Sequence, residues 1–265
     1  MPISPMRKPT GDTGVAVSTG FVPSAHGLPF PNTWRDTFLG LIASRGRCGG
    51  MVFAALDHFH AGETPPSGEG GALPLHDSEL ERYIWRRQVA SAAGGLGINL
   101  WRFVWFTYLP THGPLGIAEE SRRELAPLIG ALRSGRPVPL GLVSSFGGTH
   151  LFRNHQVLAV GAEVAADRVR VRVYDPNYPG RDDVVIEVPF DETAQVVERV
   201  GSREISWRGL FIERYAPVPL VSDSPAPLLD RVAGTDKYWL AGGALLALMW
   251  LFRRHTRRCR KGIRR

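Results

Sequence analysis

From Pro137 onward, apolar side chains recur at every second position. No other feature restricts the fold of this chain as much. The stretches PVPLGLVSS, NHQVLAVGAE, RVRVRVYD, DVVIEVPF and ISWRGLFIERY alternate apolar and polar residues with the period of a half-buried strand, and turn residues separate them. They predict an antiparallel sheet of about five strands. Upstream the period is helical. A helix follows Cys48 to about His60 and stops at Gly62. A second opens at Ser78, with Glu81 at capping-box spacing, and closes near Gly94. A third covers about 118–133 with Pro127 inside it, and WRFVWFTY (101–108) reads as a core segment. Helices first and strands second predict an α+β domain, a helical lobe packed on an antiparallel sheet.

The flanks differ from this body. Residues 1–30 are rich in Pro, Gly, Ser and Thr and read as an irregular arm; 31–216 form the domain; 217–237 have the Pro/Ser composition of a stiff linker. YWLAGGALLALMWLF (238–252) is an uncharged apolar helix, followed by a basic tail, 253–265. That tail decides what the net charge of +7 means. Arg253, Arg254, Arg257, Arg258, Arg260, Lys261, Arg264 and Arg265 account for eight of the 32 basic residues, which leaves 24 in the body against 25 acidic ones. The body is near neutral, which argues against nucleic acid as its partner. A fifteen-residue helix rises about 22 Å, short of the roughly 30 Å hydrocarbon core. Snorkelling of Lys237 and Arg253 and interfacial Tyr238, Trp239 and Trp250 close that gap. The expectation is a single C-terminal membrane anchor, with the eight cations on anionic lipid. The N-terminus has no apolar run of signal-peptide length, so nothing in it announces secretion.

Two cysteines, Cys48 and Cys259, cannot build a disulfide framework or a cysteine-rich zinc site. Cys48 stands among glycines in GRCGGMVF at the start of a helix, where backbone N–H groups and the helix dipole favour a thiolate. The strands supply its partners. In NHQVLAVGAEVAADRVRVRVYDPNYPG, a turn centred near Ala165 sets Gly161 against Val169, Ala159 against Val171, Val157 against Val173 and His155 against Asp175. Directly opposed side chains are close enough for a carboxylate to hold an imidazole. A thiol, a histidine and an orienting acid are the logic of nucleophilic catalysis. Asp57, His58 and His60 in DHFH offer metal-ligand types, but on a helix the two histidines point to different faces. The bland reading of DHFH is a solvated helix end.

Cys48 between glycines, then helices, then a strand NHQVLAVG carrying His155, then a strand ending YDPNYPG: in this order the residues resemble the papain-like cysteine peptidases, in the compact bacterial form whose third member is Asp. The resemblance covers about residues 30–215. It implies a papain-like fold with Cys48 as nucleophile, His155 as general base and acid, and Asp175 as orienter, and it calls for no cofactor. Similar enzymes place a Gln six residues before the nucleophile to donate to the oxyanion, and here that position is Ile42. The Cys48 N–H remains as one donor, and Asn32 and Gln88 are the candidates for another. Asn154, Trp101 and Tyr178 are candidate cleft-lining residues by their nearness to these segments. The expected activity is a membrane-anchored thiol hydrolase acting on a peptide or amide bond. An acyltransferase or transglutaminase-like enzyme with the same triad, or an inactive binding scaffold, are the alternatives.

Overall fold

The structure, a computed structural model, describes residues 15–38, 42–67, 71–144, 146–147, 153–191 and 193–220. The linker beyond residue 220, the apolar segment 238–252 and the basic tail lie outside the described residues. Among the described residues no helix is long and apolar enough to cross a membrane.

The chain is α+β, as its change of period predicts. In order, β1 (Val15–Ser18), α1 (Pro23–His26), β2 (Arg35–Phe38) and β3 (Ile42–Arg45) precede α2 (Cys48–Ala61), α3 (Glu79–Tyr108) and α4 (Ile117–Arg133). Then come β4 (Val138–Val143), β5 (His155–Val164), β6 (Arg168–Tyr174), β7 (Val185–Pro189), β8 (Val196–Val200), β9 (Arg203–Trp207) and β10 (Gly209–Ile212). The hairpin β2–β3 belongs to a separate compact unit. In the main unit every strand pairing is antiparallel, in the order β10-β4-β5-β6-β7-β8-β9, with β1 beside the far half of β5.

This sheet curls. Its two outer strands are consecutive in the chain, with only Arg208 between them, so ISWRGLFIERY is two strands joined by a corner. On a flat sheet β9 would lie about 19 Å from β5, four strand spacings away. Instead the rings of His155 on β5 and Trp207 on β9 stack with centroids 6.0 Å apart. Inside the curl, Val157, Ala159, Ala162, Val169, Val171, Val173, Val196 and Trp207 form a core closed by Leu125, Leu128 and Leu132 of α4. On the outer face, Val52, Phe53 and Leu56 of α2 pack on Leu158, Val160 and Tyr174.

The β5–β6 register departs from the expected one. Val164 faces Val169 and Ala162 faces Val171, but beyond a bulge between Ala159 and Gly161 the pairs are Ala159 with Val173 and Leu158 with Tyr174. Extended, this register places Asp175 opposite Val157, two residues from His155 rather than beside it. The turn sits later than expected, with the Ala165 N–H bonded to the Arg168 carbonyl. Without the bulge, Asp175 would oppose Leu158 and point out of the curl. The extra residue returns it to the face of His155.

Other expectations need correction. The arm is not wholly irregular: the alternating VAVS of β1 completes the edge of β5 that β4 leaves open. VVERV forms a strand, β8, that the five expected ones omit. The second helix starts as expected, with the Ser78 hydroxyl accepting from the Glu81 N–H. It does not end near Gly94, because the helix continues to Tyr108. Within it Gly97 has a left-handed φ of 81°, a conformation open to glycine. WRFVWFTY is therefore its last two turns, with Phe103, Val104 and Phe106 buried and Trp101, Trp105 and Tyr108 exposed.

DHFH is not a solvated helix end. Asp57 is buried, pairs with Arg87 at 2.7 Å and accepts from the hydroxyls of Tyr83 (2.7 Å) and Tyr215 (2.6 Å). It also accepts from the Val218 N–H, so the first linker residues are tied to the body. His58 is buried as well, while His60 is exposed. Among the described residues no three His, Cys, Asp or Glu side chains converge as a metal would require.

Candidate active site

Cys48 is the first residue of α2, partly exposed and a free thiol. Its position is fixed from three sides. Asn32 Oδ1 accepts from the Arg47 N–H at 2.5 Å, and the buried Arg47 guanidinium pairs with Glu81 of α3 between the rings of Trp34 and Trp85. Gln88 Oε1 accepts from the Gly50 N–H at 2.8 Å and so caps α2 from its neighbour helix. The glycines after the cysteine serve close approach more than open space around the sulfur. A Cβ on Gly49 would lie 2.1 Å from Gln156 Oε1, and one on Gly50 2.3 Å from the Ile84 carbonyl.

His155 opens β5 and is 6% exposed. Its Nε2 lies 2.7 Å from Asp175 Oδ1 and 3.1 Å from the Asn177 amide nitrogen. The Cys48 side chain also acts on the ring and raises it. Burial alone would depress the imidazole. The Asp175 carboxylate and the Cys48 contact outweigh it and hold His155 well above the ordinary 6.5. Asp175 is 1% exposed, and burial would raise its carboxyl. The charge and hydrogen bond of His155, with the neighbouring Glu198 carboxyl and the bond from the Asn177 N–H, take it below its usual range. Bulge and strand start thus bring His155 and Asp175 together, and the start of α2 brings Cys48 to the ring.

The remaining candidates separate. Asn32 stands beside the site, but its amide nitrogen donates to Asn177 Oδ1 at 3.2 Å and its oxygen is held by Arg47. Gln88 has its oxygen committed to α2. Asn154 is a tie: its oxygen accepts from the Ser144 N–H and its amide donates to Thr107 at the end of α3. Tyr178 is half-buried against the core within the curl, near Arg203, Asp175, Glu198 and His155. Trp101 is 42% exposed on α3.

Two buried acids belong to the site that the sequence reading passed over. Gln156, next to His155, directs Oε1 at the Cys48 sulfur (3.9 Å) and at Ser91, while its Nε2 donates to both oxygens of Glu213 at 2.8 Å. Burial pushes Glu213 up to about 8 against the pull of Gln156 and Arg102. Glu198, on β8, accepts from Trp207 Nε1 at 2.9 Å. Its signal was present in VVERV, where alternation puts Glu198 on the same inward face as Val196 and Val200.

No protein-family model, curated protein or solved structure matches the chain.

Proposed function

We propose that the chain is a papain-like thiol hydrolase that cleaves a peptide or amide bond through Cys48, His155 and Asp175, held at a membrane by its C-terminal segment. The observation that carries the reading is the buried imidazole with a carboxylate at one nitrogen and a thiol at its ring. With Nε2 committed to Asp175, Nδ1 is the nitrogen left for the thiol.

The chemistry then runs in two balanced halves. The proton shared by Cys48 and His155 rests on the imidazole, which Asp175 holds well above 6.5, and the Cys48 sulfur attacks the substrate carbonyl carbon as a thiolate. His155 returns that proton to the leaving nitrogen as the C–N bond breaks, which leaves a thioester. Water attacks the thioester, His155 takes its proton, and the C–S bond breaks to release acid and regenerate the thiol. Asp175 holds the ring and stabilises its charged form throughout. As the first residue of α2, Cys48 has a backbone N–H without an intrahelical acceptor, so it supplies one oxyanion donor. The Gln88 amide nitrogen is the candidate for the second, since its oxygen anchors it on the same helix start, whereas the Asn32 amide is turned to Asn177.

A vinyl-sulfone or epoxide probe tests this directly. Mass spectrometry should find the adduct on Cys48 at neutral pH. His155→Ala should slow labelling by about 100-fold or more, and Asp175→Ala by less, because the base creates the nucleophile and the acid orients it. Equal labelling of all three proteins overturns the proposal and leaves a binding scaffold as the reading.

A further inference from the structure

Glu198 is fully buried between Val196 and Val200 on the inner face of the curled sheet. Its Oε2 accepts from the Trp207 indole, and that indole stacks on His155 with an interplanar angle of 18°. Its Oε1 is buried and has no hydrogen-bond partner among the described residues; Asp175 Oδ2 is in the same condition. Yet the two carboxyl groups act on one another, each shifting the titration of the other. Two ionised carboxylates in this position would repel each other and leave two acceptors dry, each a substantial cost in a buried site. One proton between them satisfies both oxygens.

Its owner follows from the surroundings. Asp175 Oδ1 receives His155 Nε2 and the Asn177 N–H at 2.7 Å each, donors that favour an ionised group. Glu198 receives one neutral indole N–H. The other groups nearby are Tyr178 from the loop after β6, Arg203 at the start of β9, and Cys48 of α2 across the imidazole. We propose that Glu198 is a positioning residue which, as a neutral acid, donates its proton to Asp175 Oδ2 and so fixes the carboxylate that holds His155. His155, Asp175, Glu198 and Trp207 then form a closed ring, each touching the next. Burial, followed by the neighbouring Asp175, pushes the Glu198 carboxyl up to about 8, in line with this assignment. The role rests on reading Cys48, His155 and Asp175 as the catalytic set.

Two variants of the full chain separate the possibilities. Glu198→Gln keeps an acceptor for Trp207 and an N–H donor for Asp175; Glu198→Ala removes both. Alkylation of Cys48 by iodoacetamide, followed from pH 5 to 10, should stay within about threefold of the unaltered protein at pH 7 in Glu198→Gln and fall by about tenfold or more in Glu198→Ala. The unaltered protein should also show an alkaline inflection, from loss of the Glu198 proton, that Glu198→Gln lacks. A Glu198→Gln protein as slow as Glu198→Ala would mean that negative charge is what matters, and two variants that both match the unaltered chain would mean that Glu198 has no role; either result overturns the proposal. An arm independent of thiol chemistry uses Cys48→Ser. In that protein the Glu198 carboxyl, followed by carbon NMR, should titrate near pH 8. Titration below about pH 5, the ordinary glutamate range, overturns the proposed donor even if Glu198→Ala does not fold. If instead His155→Ala labels as fast as the unaltered protein, the catalytic reading fails while this titration still stands.

Discussion

At the scale of single residues, the site divides into groups that do chemistry and groups that hold them. Gln88 has one function in each class: its oxygen caps α2 at Gly50, and its nitrogen is the candidate oxyanion donor. Gln88→Ala should therefore lower turnover of an amide or ester substrate by about 100-fold, the worth of one such donor. Alkylation of Cys48, which builds no oxyanion, should change far less. Equal losses in both assays would assign Gln88 to the cap alone. His155 and Asp175 were legible because alternation restricts a strand's side chains to two faces and only a few polar residues fall on the apolar one. Glu198, Gln156 and Glu213 were not legible as site members. Their partners lie on strands and helices 9 to 108 residues away, and alternation along one strand says nothing about which strands a curl brings face to face.

Among elements, α2 shows how far local rules reach. Its start at Cys48 and its end at Gly62 follow from glycine placement, and the Ser78 cap of α3 follows from side-chain chemistry. The glycines inside α2 answer to a tertiary demand, since Gln156 of β5 and Ser91 of α3 occupy the space a side chain would need at Gly49, and Ile84 and Gln88 of α3 that at Gly50. Gly49→Ala should cost about 1–3 kcal/mol by overpacking, read as a lowered urea midpoint, and should slow Cys48 labelling as the helix start is displaced. An unchanged midpoint would show that Gln156 and Ser91 can move aside at no cost. The strands β1 and β8 escaped the sequence reading because each has only four or five residues, too few for a period to stand out. The bulge in β5 escaped for a different reason. It is set by the partner strands on both sides, yet it decides the face on which Asp175 emerges.

For the molecule as a whole, buried carboxyls set the pH at which it is most stable. Glu198 and Glu213 rise from the ordinary 4.5 to about 8. Between those values the unfolded chain releases protons that the folded one keeps, so stability falls as pH rises, by about 1.4 kcal/mol per unit for each group. His155 acts in the same direction, its contribution being present below 6.5 and lost as pH passes its raised folded value. Asp175 acts oppositely, and its contribution is lost as pH falls through a value below 3.8. Urea midpoints should therefore be higher at pH 5 than at pH 8, and Glu213→Gln should narrow the gap by raising the pH 8 midpoint. A midpoint that climbs from pH 5 to 8 contradicts this. The proposed anchor makes a separate prediction: the full chain should sediment with anionic vesicles, while a chain ending at Asp236 should stay in the supernatant and label at Cys48 just as fast. Sedimentation of both would place lipid binding in the body. Finally, the corner at Arg208 has a consequence in time. The partner that covers Val138–Val143 is Gly209–Ile212, so during synthesis β4 leaves the ribosome well before the strand that will flank it. Pairings this distant in sequence form slowly. The imidazole, its acid, Glu198 and the stacking indole all lie between residues 155 and 207, and they can gather while β4 still waits with one edge bare.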